Sequence, residues 1–307
     1  MDRIEIARSY LVELLHQRQD IVAAWLAGSV ARGEATAFSD IDLVFMVAGD
    51  GELSRAGLDT WREGIYIEAG LVFQQEYVDL EVVLNDPFKA THMNDALILY
   101  DPTGFMTQLQ NAVRPIYMQP QWLDKRLAFW WENVSTALAH LREAVTAADP
   151  LGFCAAFGWF TFGCASIPLL HAGVTPSSTR SLLLLDRIDP SLKAQLAELE
   201  GSTQMSAADV VALEPLLQEI IQLGDASYGQ LLIYATQKTL WMAQQGQHQA
   251  ALHTMWLMMY GAAESCLRRP DPAGRATGIN LSQRWLQRTG MHESSTLISK
   301  LQSAELL

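Results

Sequence analysis

Two apolar runs near the start of the chain, separated by small and polar residues, predict two buried strands. Residues 21–27 form the first run and lead into Gly28-Ser29, which is typical of a strand that ends in a tight turn. Residues 41–47 form the second run. Ahead of both, residues 2–19 carry apolar side chains at helical spacing, which predicts an amphipathic helix that packs on the sheet.

Further elements of the first third follow from the same patterns. Residues 71–84 are predicted to end in another strand, and 96–100 form a further apolar run of strand type. Part of 53–70 is predicted to be helical, and a helix is expected over 105–113. Together these patterns predict a small mixed sheet with helices on one side.

Beyond Pro115 and Pro120 the strand-type alternation stops and helical spacing takes over. The predicted fold class is therefore α+β, with a sheet-containing domain over 1–118 and an all-helical domain over 119–307. We expect a loop over 268–278. The predicted helices of this second domain cover residues 121–147, 180–200, 207–224, 226–245, 248–267 and 281–304.

Residues 151–170 contain no charged side chain, so their length and composition would allow a membrane span. They include Gly, Ala, Ser, Thr and Pro and lack a flanking basic cluster, which favours a helix at the centre of the helical domain. The first residues carry acids rather than the pattern of a secretory signal. The three cysteines show no metal-ligand spacing and cannot all pair. We therefore expect a cytoplasmic protein without a membrane partner.

Charge is distributed unevenly along the chain. The net charge is −13, and residues 1–110 hold seven Lys and Arg against 18 Asp and Glu, a net −11. Because nucleic-acid binding depends on neutralising phosphates, an acidic first domain disfavours nucleic acid as a partner. The same charge would attract a cationic small molecule, although solubility alone also explains an acidic surface.

Asp40 and Asp42 stand two residues apart at the start of the second predicted strand. Side chains alternate faces along a strand, so both carboxylates are expected on one side. Two carboxylates held together repel each other unless a cation lies between them, and their hard oxygen atoms suit Mg²⁺. The spacing therefore predicts a divalent-metal site beside the Gly28-Ser29 turn.

This arrangement resembles the nucleotidyltransferase superfamily that includes DNA polymerase β. The family pattern is Gly-Ser, a short spacer and Asp-x-Asp on the next strand, and it stands here as Gly28-Ser29 and Asp40-x-Asp42. Within the superfamily the chain looks most like the antibiotic nucleotidyltransferases and the small stand-alone members. The resemblance covers roughly the first third of the chain.

The resemblance also implies a third carboxylate, on a strand beside the Asp-x-Asp strand. Asp79 and Glu81 fit the expected pattern of an acid between apolar neighbours. Leu80-Glu81-Val82 looks like the antibiotic enzymes, whereas Val78-Asp79 looks like polymerase-type members. Glu81 is slightly favoured as a metal ligand or proton acceptor, and Asp79 remains open.

By resemblance the activity is nucleotidyl transfer from ATP, with two Mg²⁺ ions and release of pyrophosphate. Gly28 and Ser29 are candidates for binding the triphosphate through backbone and hydroxyl groups, and Arg32 for neutralising it. Asp40, Asp42 and Glu81 are the expected metal ligands.

The favoured acceptor is a hydroxyl of a small, perhaps cationic molecule such as an aminoglycoside, which would confer antibiotic resistance. Two alternatives stay open: a protein adenylyltransferase of the toxin–antitoxin type, and a non-catalytic nucleotide-binding regulator. The sequence does not indicate an oligomeric state.

Overall fold

A computed structural model describes residues 2–49, 58–223, 226–269 and 271–291 of the chain. The chain divides into two units, residues 1–126 and 127–307. The first unit contains the sheet and the second is helical, so the α+β fold class predicted from sequence is confirmed.

The sheet of the first unit is mixed, with the strand order β3-β4-β2-β1-β5. Its strands are β1 (Ile21–Leu26), β2 (Ile41–Val47), β3 (Thr60–Arg62), β4 (Ile65–Phe73) and β5 (Leu97–Tyr100). The pair β2–β4 is parallel, whereas β1–β2, β1–β5 and β3–β4 are antiparallel. The sheet therefore places β4 directly beside β2, the strand that carries Asp42.

Helices pack on both faces of this sheet. The helices of the first unit are α1 (Arg3–Gln17), α2 (Gly28–Ala31), α3 (Leu80–Asn85), α4 (Pro87–Asp95) and α5 (Phe105–Val113). Residues of α1 share a core cluster with Ile41 and Leu43 of β2. Residues of α3, α4 and α5 share another with Val44 and Met46. The prediction of helices on one side is wrong because β2 is apolar at both odd and even positions and buries both faces.

Residues 60–62 and 65–70 lie in strands β3 and β4, so no helix is present over the described residues 58–70. Residues 53–57, the rest of the segment in which a helix was expected, lie outside the described part of the chain. The prediction that residues 71–84 end in a strand is wrong. Strand β4 ends at Phe73, and a 3₁₀ turn over Gln74–Tyr77 and helix α3 occupy the rest of this segment. Asp79 starts α3 as its N-cap, since its side chain accepts hydrogen bonds from the backbone N–H groups of Glu81 and Val82.

Along the chain the division between the two units falls after Arg126, whereas the sequence predicted a boundary after residue 118. Arg126 is fully buried, and its guanidinium donates hydrogen bonds to the carbonyl oxygens of Leu84 and Tyr117. Lys125 forms an ion pair with Glu81 at 3.3 Å. These contacts attach the residues after the prolines to the first unit.

The second unit is helical wherever it has regular structure in the described residues. Its helices are α6 (Pro120–Thr146, which begins in the first unit), α7 (Pro150–His171), α8 (Ser181–Ile188), α9 (Pro190–Leu199), α10 (Ala207–Val211), α11 (Glu214–Leu223), α12 (Ala226–Gln244), α13 (His248–Leu267) and α14 (Pro272–Arg288).

Three sequence predictions for this unit need correction. The helix expected over 180–200 is split by Asp189, which N-caps α9. The helix expected over 207–224 is likewise two helices, α10 and α11. The loop expected over 268–278 is largely helix α14, since Asp271 caps its start and Pro272 occupies the first turn, where proline is tolerated. Residues 292–304 of the last predicted helix lie outside the described part of the chain.

Helix α7 is long and apolar enough to cross a membrane, but 78% of its apolar 18-residue stretch is buried inside the second unit. Its side chains are apolar on all sides because other helices surround it, with α13 packing most closely. A buried core helix of a water-soluble domain passes the same test of length and composition, so α7 gives little support for a membrane span.

Gly158 of α7 is expected to be intolerant of a methyl group. A Cβ at this position would lie 2.1 Å from the backbone carbonyl oxygen of Trp256 in α13. We expect Gly158→Ala to lower the free energy of unfolding by about 3 kcal/mol, because two helix backbones must separate. Gly261, inside α13, is the matched control, since its Cβ would meet no atom within 4 Å.

Gly261→Ala should raise the free energy of unfolding by about 0.5–1 kcal/mol through helix propensity alone. Urea unfolding of both variants, monitored by circular dichroism, measures the difference. Equal free energies of unfolding for the two variants would contradict the close contact between α7 and α13.

Candidate active site

Two acidic side chains face each other across the parallel pair β2–β4. Asp42 is the register partner of Glu68, so their side chains leave the sheet on the same face. Like charges directly opposite on neighbouring strands are destabilising. The strand pairing therefore creates a local concentration of negative charge at the start of β2.

Asp40 joins this pair from the residue position just before β2. Asp40, Asp42 and Glu68 each offer a carboxylate oxygen, and these three oxygens all lie within 4.8 Å of one another. All three residues are half-buried. As predicted, Asp40 and Asp42 lie on the same side. Three convergent carboxylates form the hard oxygen donor set that Mg²⁺ and similar divalent ions prefer, so the residues present fit such an ion.

The loop that leads into Asp40 is held by α1. Arg3 donates hydrogen bonds from its guanidinium to the carbonyl oxygens of Ser39, at 2.9 Å, and Ala37, at 2.8 Å. The buried Ser39 hydroxyl in turn accepts a hydrogen bond of 2.8 Å from the backbone N–H of Thr36. These contacts fix the backbone immediately before Asp40 and so restrict where its carboxylate can lie.

Gly28 lies against the Asp42 carboxylate. Its φ is +62°, and a Cβ on Gly28 would lie 1.8 Å from Oδ2 of Asp42. The backbone N–H of the preceding residue, Ala27, donates to the carbonyl oxygen of Asp42 at 2.9 Å. Glycine is therefore required here both by its left-handed conformation and by the space that the carboxylate occupies.

Ser29 and Arg32, the other candidates for nucleotide binding, lie in and just after α2. Within the described part of the chain the half-buried Ser29 hydroxyl has no hydrogen-bond partner. Arg32 pairs with Glu34 at 2.9 Å and with Asp95 at 3.5 Å, and its side chain is 19% exposed. Arg32 would thus have to exchange carboxylate partners for phosphate oxygens in order to bind a triphosphate.

The structure does not bring Asp79 or Glu81 into the group of carboxylates. Both were expected on a strand, but Asp79 caps α3 and Glu81 lies in its first turn, where it pairs with Lys125. The acid that lies beside Asp42 is Glu68. A catalytic role for Asp79 or Glu81 stays a prediction, and the strand geometry on which it rested is absent.

Sequence reasoning missed Glu68 because it assigned part of 53–70 to a helix. The signal was present in β4, whose residues Ile65, Ile67, Ala69 and Leu71 alternate with the side chains of the opposite face. All four residues belong to or pack on the core cluster that includes α1. Because Glu68 lies at an alternate position of the strand, its side chain must project from the opposite face. A single acid in a strand otherwise dominated by apolar residues marks this position.

The comparisons with known proteins agree with the geometry of the first unit. Residues 10–101 match the family model described as "Polymerase beta, Nucleotidyltransferase". This segment is thus similar to nucleotidyltransferase domains of the polymerase β type, and Asp40, Asp42 and Glu68 form a candidate carboxylate triad within it. The nucleotide is accordingly one substrate implied by the family, and the comparisons name no acceptor.

A nucleotidyltransferase-like protein from Exiguobacterium sibiricum 255-15 is a similar solved structure. It shares 11% identity with this chain, and the match covers 94% of this chain and 92% of that one at a TM-score of 0.36. The search of curated proteins gave no match.

Proposed function

We propose that the protein transfers AMP from ATP to a hydroxyl group of a small, amine-bearing molecule, with release of pyrophosphate. The observation that carries nucleotidyl transfer is the convergence of Asp40, Asp42 and Glu68 beside Gly28. Mg²⁺ held by these carboxylates would neutralise the triphosphate and favour ionisation of the acceptor hydroxyl. We further propose a cytoplasmic setting, which the three buried, unbridged cysteines support.

The residues of the first unit have separate roles in this proposal. Asp40 and Asp42 are the primary metal ligands, and Glu68 completes the set and accepts the proton of the acceptor hydroxyl on a carboxylate oxygen. The Ser29 hydroxyl and the backbone N–H groups of α2 donate to phosphate oxygens. Arg32 leaves Glu34 and Asp95 to meet the phosphates, which adds positive charge where the triphosphate brings negative charge.

The charge of the first unit supports an amine-bearing acceptor. Residues 1–110 carry a net −11, and only three of their acids belong to the carboxylate triad. The remaining acids produce a negative potential that attracts a cation at long range. Aminoglycosides combine several ammonium groups with hydroxyl groups and are the first class to examine, since resistance to such drugs would follow from their adenylylation.

A panel assay tests the reaction and its acceptor together. Purified protein, ATP and Mg²⁺ are incubated with individual aminoglycosides, and pyrophosphate release and a product heavier by one AMP are measured. The Asp42→Asn variant supplies the background. AMP on a co-purifying protein, with every drug unmodified, would replace the small acceptor by a protein one. ATP binding without transfer to any acceptor would indicate a regulator.

We expect the apparent affinity for a cationic acceptor to weaken as the salt concentration rises. Ions screen charges over about 8–10 Å near physiological ionic strength, so the long-range attraction is lost first. The KM for the acceptor should therefore rise with NaCl, whereas kcat at saturating acceptor should change little. A KM for the acceptor that is independent of NaCl would contradict the electrostatic part of the proposal without affecting nucleotidyl transfer itself.

A further inference from the structure

The second unit contains a pocket between three of its helices. Residues of α6, α7 and α13 line it, and its volume is about 470 Å³. Pockets of about 300–1,000 Å³ are typical of small-molecule sites. All of its lining residues belong to the second unit, so the pocket is defined within that unit alone.

Aromatic rings form much of the pocket wall. Phe129, Trp159 and Tyr260 line it, and the rings of Trp159 and Tyr260 stack with centroids 5.3 Å apart. The indole N–H of Trp159 donates to the side-chain oxygen of Asn133 at 3.4 Å. These contacts hold the rings in place, so the aromatic wall exists before a ligand arrives.

The charged groups that line the pocket are carboxylates, with no Lys or Arg among them. Glu132 and Glu264 contribute the two acids, and His140 and Tyr260 are the other ionisable residues of the lining. Glu264 forms an ion pair of 3.2 Å with Arg268, which lies outside the lining. Glu132 has no ion-pair or hydrogen-bond partner among the described residues. Glu132 is exposed, so its carboxylate is available to a cation beside the aromatic rings.

We propose that this pocket binds an organic cation, namely a protonated amine on an aromatic or alkyl body. The ammonium group donates hydrogen bonds to Glu132, and the ring faces of Phe129, Trp159 and Tyr260 add cation–π attraction and apolar contact. Ala137, Ala155 and Ala156 are almost fully buried, so the contact surface for a hydrocarbon body comes mainly from the three rings, while polar side chains form part of the remaining lining. The proposal goes beyond nucleotidyl transfer and rests on the residues of the pocket alone.

Calorimetric titration of the full-length protein without ATP tests this site. The probes are 4-phenylbutylammonium, its neutral analogue 4-phenylbutanol, and protonated glucosamine as a polyhydroxylated cation. We expect the ammonium to bind at least about tenfold more tightly than the alcohol, because a charge-assisted hydrogen bond and cation–π contact depend on the positive charge. Glucosamine should bind more weakly than 4-phenylbutylammonium, since it lacks the apolar body.

Two Glu→Gln variants on the same helix separate the pocket from the general acidity of the protein. Glu132→Gln should weaken binding of the ammonium about three- to fivefold, the upper range for an exposed charge pair, while leaving binding of the alcohol unchanged. Glu143→Gln is the control, because Glu143 is exposed on α6, lies outside the pocket lining and gives the same change in net charge. It should alter the affinity by less than about twofold.

A third variant tests the rings. Phe129→Leu keeps an apolar side chain but removes the aromatic face, so it should weaken binding of the ammonium more than binding of the alcohol. Equal affinities for the ammonium and the alcohol would overturn the proposal, as would equal losses in Glu132→Gln and Glu143→Gln. Because these titrations contain no ATP, their failure would leave nucleotidyl transfer untouched, and loss of transfer in Asp42→Asn would leave this site intact.

Discussion

Asp42→Asn and Glu68→Gln are each expected to lower nucleotidyl transfer by at least about 100-fold with the fold intact. Metal-assisted charge stabilisation contributes several kcal/mol to a transition state, and about 2.7 kcal/mol corresponds to that factor. Both substitutions preserve side-chain shape and remove one negative charge from the triad whose oxygens lie within 4.8 Å. Pyrophosphate release at saturating ATP and Mg²⁺ measures the loss.

The loss of metal binding is measurable without knowing the acceptor. An ion that binds the folded protein and not the unfolded one raises the unfolding temperature, by an amount that grows with the logarithm of the ratio of ion concentration to Kd. We expect Mn²⁺ or Mg²⁺ with ATP to raise the Tm of the wild-type protein and to have little effect on the two variants. An equal rise in Tm for Asp42→Asn and wild type would contradict metal binding by this triad.

Glu81→Gln and Asp79→Asn are the controls for the choice of the third carboxylate. Glu81 is an exposed residue that pairs with Lys125, and Asn retains the ability of Asp79 to cap α3. We expect each to keep activity within about twofold, since exposed ion pairs contribute little. A loss in Glu81→Gln as large as that in Glu68→Gln would return the third carboxylate to the position suggested by resemblance.

Gly28→Ala is expected to abolish nucleotidyl transfer and metal binding at the carboxylate triad, whereas Gly33→Ala should preserve both. Both glycines have positive φ, +62° and +71°, so both substitutions carry the cost of a left-handed alanine, about 1 kcal/mol. Only at Gly28 does the new Cβ meet another group, because it would lie 1.8 Å from Oδ2 of Asp42, whereas at Gly33 no atom lies within 4 Å. The difference between the variants therefore isolates the contact with Asp42.

We expect Gly28→Ala to displace the Asp42 carboxylate, to lower activity at least about 100-fold and to abolish the rise in Tm produced by Mg²⁺ and ATP. Gly33→Ala should lower the free energy of unfolding by about 1 kcal/mol and keep both activity and metal response. Similar losses of activity in the two variants would show that backbone strain, and not the carboxylate, explains the requirement for glycine.

The sequence by itself determined the elements that depend on local pattern. The strands that became β1 and β2 follow from continuous apolar runs, and the Gly-Ser and Asp-x-Asp spacing located Asp40 and Asp42. Helix α6 was predicted within one residue at each end, since apolar side chains repeat at helical spacing along its whole length. Each of these features is encoded within a short window of residues.

The sequence was misleading where a capping signal competed with an apolar run. The residues after Asp79 combine acids with valines and leucines and were assigned to a strand. They fold as α3 because the Asp79 side chain satisfies backbone N–H groups at the helix start, and because Val83 and Leu84 bury against the face of the sheet formed by Val44 and Met46. Strand propensity was overridden by a local hydrogen bond together with tertiary packing.

Only the tertiary structure decided which acid completes the site and why Gly28 must be glycine. Glu68 is 26 residues from Asp42 along the chain, and the two meet because β4 pairs with β2 in parallel with these residues in register. The register is a property of two strands together, so it cannot be predicted from the periodicity of either strand alone. Likewise, the space that a Cβ of Gly28 would need is filled by a carboxylate from another strand, and that contact exists only after β1 and β2 have paired.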